Sequence, residues 1–129
     1  PGQNVKLEKA YSDYFAKEGQ KFQKANDIAK AAENFTKSSQ VSNKQLKARG
    51  LLSLGTLYFN NGASILQKAT PFANSEKEKY EAEKAKALAD FRKAQDYLKQ
   101  AATVEPTNEA VKETQKQVAD AIAPLVEKK

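Results

Sequence analysis

Apolar residues recur at spacings of three and four along most of the chain, and nowhere do they alternate at period two. That pattern belongs to amphipathic helices that bury one side. A first helix is predicted over about Val5 to Lys24, with Leu7, Tyr11, Tyr14, Phe15 and Phe22 as its apolar positions. A break at Asn26-Asp27 leads into a second, ending near Ser39, whose stripe is Ile28, Ala31, Ala32 and Phe35. The third starts at Ser42, which with Gln45 has the spacing of a capping box. It carries Leu46, Leu51, Leu54, Tyr58, Phe59, Ile65 and Leu66. Thr70-Pro71 ends it, because the residue before proline avoids the helical region, and a loop from Pro71 to Asn74 follows. A fourth helix begins at Ser75, again spaced as a capping box with Glu78, and runs through Tyr80, Leu88, Phe91, Leu98 and Ala101 to about Thr103. Beyond Pro106 a fifth is predicted over about Asn108 to Ala123, with Val111, Val118 and Ile122 on its apolar face. Pro124 has no N–H to give and is expected to kink or stop it.

Small residues return in fixed places. Phe15 and Phe22 flank Gly19; Ala31, Phe35 and Ser38 follow that glycine by 12, 16 and 19 residues. Thirty-six residues after Gly19, Leu51-x2-Leu54-Gly55-x2-Tyr58 repeats the first half of this arrangement. The second half reappears as Phe91-x2-Ala94-x3-Leu98-x2-Ala101-x4-Pro106. Gly55 and Ala94 are 39 residues apart where Gly19 and Ala31 are 12 apart, so the second unit holds a 27-residue insertion.

The arrangement resembles the tetratricopeptide repeat (TPR), whose pattern is W-x2-L-G-x2-Y, then A-x3-F, then P, over about 34 residues. Glu18 departs from it, standing where an apolar residue precedes the glycine, and Asn43 stands in place of the final proline. The resemblance covers roughly residues 12–107. It implies an all-α helix-hairpin solenoid in one domain, 1–129. Repeat one spans about 5–41 and repeat two about 42–106, with the insertion near 62–88; a capping helix covers about 108–123. Gly19 is expected to meet Ala31, and Gly55 to meet Ala94, so that paired helices approach closely.

The insertion has its own periodicity. Ala48, Gly55, Gly62 and Ala69 recur every seven residues, as do Ala87, Ala94 and Ala101. An antiparallel pair would then bring Gly62 opposite Ala87. Gly62 costs helix stability, and a close backbone approach accounts for it. Both helices are therefore expected to lengthen into a protruding hairpin, by roughly 20 Å at 1.5 Å per residue.

A chain of 129 residues is enough for one domain. The absence of Cys, His, Met and Trp excludes disulfides, zinc fingers, haem ligation and Cys- or His-dependent nucleophiles. The net charge of +6 is unevenly spread: residues 1–70 hold 11 bases and 5 acids, residues 71–129 hold 11 of each, and no acid occurs from Asn34 to Ser75. Such asymmetry can mark an anionic partner. Only Arg49 and Arg92 are arginines, however, and arginine is the usual reader of phosphates and guanines, so nucleic acid is not the favoured partner. The longest uncharged run, Gly50 to Gln67, is too polar to span a membrane. The chain starts Pro1-Gly2 without Met, as expected of a processed or trimmed product. The insertion-bearing segment Gly55–Ala101 is similar to TPR proteins of Bacteroidetes-type bacteria, which are often exported. That favours a periplasmic or secreted location, with which the lack of cysteine is compatible.

No catalytic, metal-binding or cofactor-binding constellation emerges. Glu76, Glu78, Glu81 and Glu83 interleave with Lys77, Lys79, Lys84 and Lys86; on a helix they face solvent, with Glu81–Lys84 and Glu83–Lys86 as expected pairs. The resemblance implies instead that the first helix of each pair lines a concave groove for a peptide or a partner's helix. Its positions here are Asp13, Ala16, Gln20 and Gln23 from repeat one, and Arg49, Leu52, Thr56 and Phe59 from repeat two. One TPR subclass clamps the C-terminal carboxylate of chaperones with a Lys and an Asn. Ala16 and Gln20 occupy those places, so that ligand is not implied. Leu52 and Phe59 are divided between groove and core, since the third helix is apolar nearly all round. The function expected is non-catalytic protein–protein interaction, through the groove or the protruding hairpin. The alternatives are an assembly module acting as a homodimer through its edges, and a basic binder of anionic surfaces.

Overall fold

The computed structural model describes residues 2–126. Within them the chain forms α1 (Gly2–Lys24), α2 (Ile28–Ser39), α3 (Lys44–Ala69), α4 (Lys77–Val104) and α5 (Glu109–Val126), with no strand. A 3-10 turn, Thr70–Phe72, follows α3 where a plain loop was expected.

Local chemistry explains most boundaries. Asn26 takes φ 63°, a left-handed conformation that asparagine tolerates. The Asp27 N–H then donates to Phe22 O at 2.9 Å and the Asn26 N–H to Gln23 O at 3.0 Å, which closes α1 with a Schellman-type cap. Asp27 next accepts from the Lys30 N–H at 3.1 Å and so opens α2. Asn108 does the same for α5, accepting from the Val111 N–H at 3.1 Å.

Three boundaries differ from the sequence expectation. α3 is capped by Asn43, which accepts from the Leu46 N–H at 2.9 Å, rather than by Ser42. Ser42 is engaged elsewhere: its N–H and hydroxyl donate to Glu8 of α1 at 2.9 and 2.6 Å, and the Asn43 N–H donates to the same carboxylate at 3.1 Å. α4 starts at Lys77 behind Glu76, with no side-chain cap, so the Ser75–Glu78 box does not form. α5 continues through Pro124 to Val126. One backbone hydrogen bond is forfeited there, while Leu125 packs onto the core beyond it.

The helices pack as neighbours in chain order, α1 on α2, α2 on α3, α3 on α4 and α4 on α5. α1 also touches α3, and α3 touches α5. The odd-numbered helices therefore line one side of the stack and the even-numbered helices back it. Two apolar clusters run through this stack. One joins Phe35, Leu54, Leu57, Ala101 and Val111; the other joins Phe91, Leu98, Val118 and Ile122.

The close approaches involve the expected glycines, and Gly62 meets Ala87 as expected. A Cβ on Gly19 would stand 2.5 Å from the Phe35 ring, and one on Gly55 would stand 2.7 Å from Leu98. The atoms nearest these two positions belong to Phe35 and Leu98, one turn beyond Ala31 and Ala94 on the facing helices. A glycine is a hole, and a large side chain fills a hole better than another small one does. Ala31 and Ala94 are fully buried beside these contacts. Gly62 lies against Phe91, 2.9 Å from a hypothetical Cβ, and against Ala87 O at 3.0 Å. Gly55 on Leu98 and Gly62 on Phe91 share one antiparallel register, so α3 and α4 stay paired through the inserted residues. Gly50 makes a fourth approach, to the backbone of Ser39, that the repeat pattern did not indicate.

Candidate protein-binding groove

Arg49, Leu52, Thr56 and Phe59 follow one another at spacings of three and four on α3, which places them on one face. All four are half-buried. Asp13, Ala16 and Gln23 are half-buried on α1, and Gln20 is exposed.

At one end the two helices are joined by charge. Arg49 Nη1 lies 2.7 Å from Asp13 Oδ1, and Lys9 Nζ lies 2.7 Å from Asp13 Oδ2. Hydrogen bonds from Lys9 and Arg49, in that order of weight, hold the Asp13 carboxyl below its ordinary pKa. Arg49 Nη2 donates to Ser12 Oγ at 2.8 Å, while its Nε is buried without a partner. Ser12 is fully buried and sits in a reciprocal pair with Ser38 of α2: Ser12 Oγ donates to Ser38 O, and Ser38 Oγ donates to Ser12 O, each at 2.8 Å. Each hydroxyl has one proton, so these two bonds use both donors. The guanidinium is thus tied to α1 and, through Ser12, to α2. Asp13 and Arg49 are each other's partners rather than a free acid and a free base.

Further along, Gln23 and Asn26 line a pocket of about 190 Å³ with Ile28, Leu57, Asn60 and Ser64 of the facing helices. Asn61 at its edge donates to Asp90 of α4 at 2.6 Å.

The other end is apolar. Phe59 packs on Phe91 with ring centroids 5.6 Å apart. Both line an open groove of about 360 Å³ between α3 and α5, together with Leu66, Gln67, Ala121 and Pro124. Leu52 packs against both core clusters and Phe59 against the second, so both serve the core margin as well as the groove. The sequence reading stopped at Phe59 and missed Ala63, Leu66, Gln67 and Thr70. The signal was present: the run 49, 52, 56, 59, 63, 66, 70 continues one helical face into the insertion. Ala121 and Pro124 come from α5, and no local pattern assigns them to the groove.

The acid-free stretch receives two acids from α1. Glu8 caps Ser42 and Asn43, Asp13 holds Arg49, and Lys47 donates to Ser39 O at 3.2 Å. The expected pairs Glu81–Lys84 and Glu83–Lys86 are formed at 3.3 and 2.9 Å. Among the described residues no helix is long and apolar enough to cross a membrane.

A scan against models of protein families finds no match, and a search of curated proteins finds none. Among solved structures, a TPR repeats protein from Bacteroides fragilis matches with 51% sequence identity and a TM-score of 0.89. The match covers 92% of this chain and 53% of that one, so the chain spans about half the length of that protein. With half of the aligned residues identical and the backbone shared across nearly the whole chain, this protein belongs to the tetratricopeptide repeat family, in its Bacteroidetes-type form.

Proposed function

We propose that the chain binds a peptide segment of another protein along the face shared by α1, α3 and α5. Tetratricopeptide repeats generally mediate protein–protein interaction and are typically non-catalytic. The observation that carries the finer reading is the apolar groove of Phe59, Leu66, Phe91, Ala121 and Pro124, continuous along α3 with Thr56, Leu52 and Arg49. Apolar side chains of a bound segment would seat there, where aromatic and aliphatic walls give large contact area. The amide-lined pocket at Gln23 and Asn60 would meet its backbone. Asp13, Ala16, Gln20 and Gln23 would form the α1 wall. Asp13 and Arg49 would set its shape through their ion pair rather than grip a charge of the ligand.

The test is peptide selection on the immobilised chain, followed by affinity measurement with Thr56→Arg and Gln67→Arg. Gln67 is exposed and lines the groove, and Thr56 is half-buried on the same face of α3. Selected peptides should lose at least about tenfold in affinity, the worth of about 1.4 kcal/mol. Unchanged affinity in both variants would remove the groove from the account.

A further inference from the structure

The first helical pair turns at Asn26-Asp27, whereas α3 runs on into the inserted residues. The pocket of about 190 Å³ lies in the inside corner between them, with Gln23, Asn26 and Ile28 on one side and Leu57, Asn60, Asn61 and Ser64 on the other. The four residues of α3 stand at i, i+3, i+4 and i+7, so they share one face. Leu57 belongs to the first core cluster and Ile28 packs against it; together they make an apolar floor. The remaining five side chains are four carboxamides and a hydroxyl, each able to donate and to accept, and none is charged.

Asn61 Nδ2 donates to Asp90 Oδ2 at 2.6 Å. A carboxylate only accepts, so this bond fixes which way round the Asn61 amide sits and leaves its Oδ1 to accept from another group. Among the described residues, the side chains of Gln23, Asn26, Asn60 and Ser64 make no hydrogen bond within the protein. They are left to water or to a ligand. Asn26 is held in place all the same: its φ of 63° and the bond from its N–H to Gln23 O fix the backbone that carries it. Groups set before binding lose little freedom on binding.

Hydrogen-bond chemistry selects the occupant. Asn61 Oδ1 calls for a donor, and the amide N–H groups of Gln23, Asn26 and Asn60 call for an acceptor. A carboxamide carries both on one planar group. A carboxylate has no donor to give and would approach Asp90, which stands against Asn61. A lysine or arginine head has no acceptor and finds no carboxylate among the lining groups. An apolar side chain would leave the amides without partners.

We propose that this pocket takes the side-chain carboxamide of one asparagine or glutamine in the segment bound along the groove, and so fixes one position of that segment's sequence. The inference rests on the peptide-binding reading above. There the amides at Gln23 and Asn60 meet the backbone; here the residue between those contacts is specified, its side chain reaching in toward Asn61 and Ser64.

The probe is a peptide selected on the immobilised chain and resynthesised with Gln, Asn, Leu, Glu or Lys at each position in turn. Fluorescence anisotropy with the full chain should show one position where Gln or Asn binds about tenfold more tightly than Leu, Glu and Lys. Asn60→Ala/Ser64→Ala favours the helix and touches no fully buried residue. In that variant the amide and leucine peptides should bind within about twofold of each other. Thr56→Arg and Gln67→Arg should weaken every peptide alike, whatever stands at that position. Peptides weakened by Thr56→Arg and Gln67→Arg but without a position that prefers an amide would overturn the role of this pocket alone. So would a preference for Glu or Lys there, or an amide preference that survives in Asn60→Ala/Ser64→Ala. Failure to select any peptide, or peptides indifferent to Thr56→Arg and Gln67→Arg, would remove the groove and this inference with it.

Discussion

The Phe35 ring occupies the space that a side chain on Gly19 would need, with two ring carbons 2.5 Å from the position of its missing Cβ. The two helices of the first pair are as close as they are because one of them has no side chain at that point. Gly19→Ala should therefore destabilise the protein, although alanine is the better helix former by up to about 1 kcal/mol. Overpacking a core costs about 1–3 kcal/mol, which leaves a net loss of roughly 1–2 kcal/mol in urea unfolding. Phe35→Leu in the same chain should recover part of that loss. At Gly50 the obstacle is the Ser39 backbone at 2.7 Å, which has no rotamer to change, so Gly50→Ala should cost more than Gly19→Ala.

Gly62 tests the lengthened hairpin. Gly62→Leu should destabilise by more than helix propensity returns, since Phe91 and the Ala87 carbonyl already touch that position. A net loss of about 2 kcal/mol is expected. A neutral or more stable variant in thermal unfolding would mean that α3 and α4 are not packed this closely in the inserted region.

The Ser12–Ser38 pair should behave as a unit. Ser12→Ala removes the donor to Ser38 O and the acceptor of Arg49, and should cost about 1–2 kcal/mol. Ser12→Ala/Ser38→Ala should cost less than the sum of the single changes, because each single change strands a group that the double change removes. Strict additivity in denaturant melts would show that the hydroxyls do not cooperate.

Glu8 should make α3 docking acid-sensitive. The Ser42 hydroxyl first, then the Ser42 and Asn43 N–H groups, hold its carboxyl below the ordinary value of 4.5. A folded-state value below the unfolded one means that its contribution is present above about 4.5 and is lost as pH falls through the depressed value. Glu8→Gln should flatten the acid limb of the stability profile, read as urea midpoints between neutral pH and about pH 3. An acid limb that stays as steep would remove Glu8 as its source.

Tyr58 and Tyr97 stack at 5.9 Å and an interplanar angle of 10°. Burial first, then nearby Asp90 for Tyr58, and Tyr58 and Asp96 for Tyr97, raise both phenols above their ordinary value of 10.0. The sign is opposite to that of Glu8: their contribution is complete below pH 10 and is lost as pH rises through the folded-state values. Ultraviolet titration should show two tyrosines ionising above the ordinary phenol value, and Tyr58→Phe should remove one of them.

The sequence by itself determined the helical class, the order of the helices, the two hairpin units and the glycines at which they touch. Spacings of three and four need no tertiary knowledge, because they follow from the geometry of one helix. It also determined one face of α3, from Arg49 to Phe59. Tertiary structure decided what lies across each gap. Phe35 and Leu98, one turn beyond Ala31 and Ala94, supply the nearest atoms at Gly19 and Gly55, because size complementarity between facing helices is not written in either helix alone. It moved the α3 cap from Ser42 to Asn43, since Glu8 arrives from 34 residues away and takes the Ser42 donors. It turned Asp13 and Arg49 from two separate groove candidates into one ion pair, and it brought Ala121 and Pro124 to the groove wall. In each case the deciding group comes from another helix, and distance along the chain hides what distance in space makes strong.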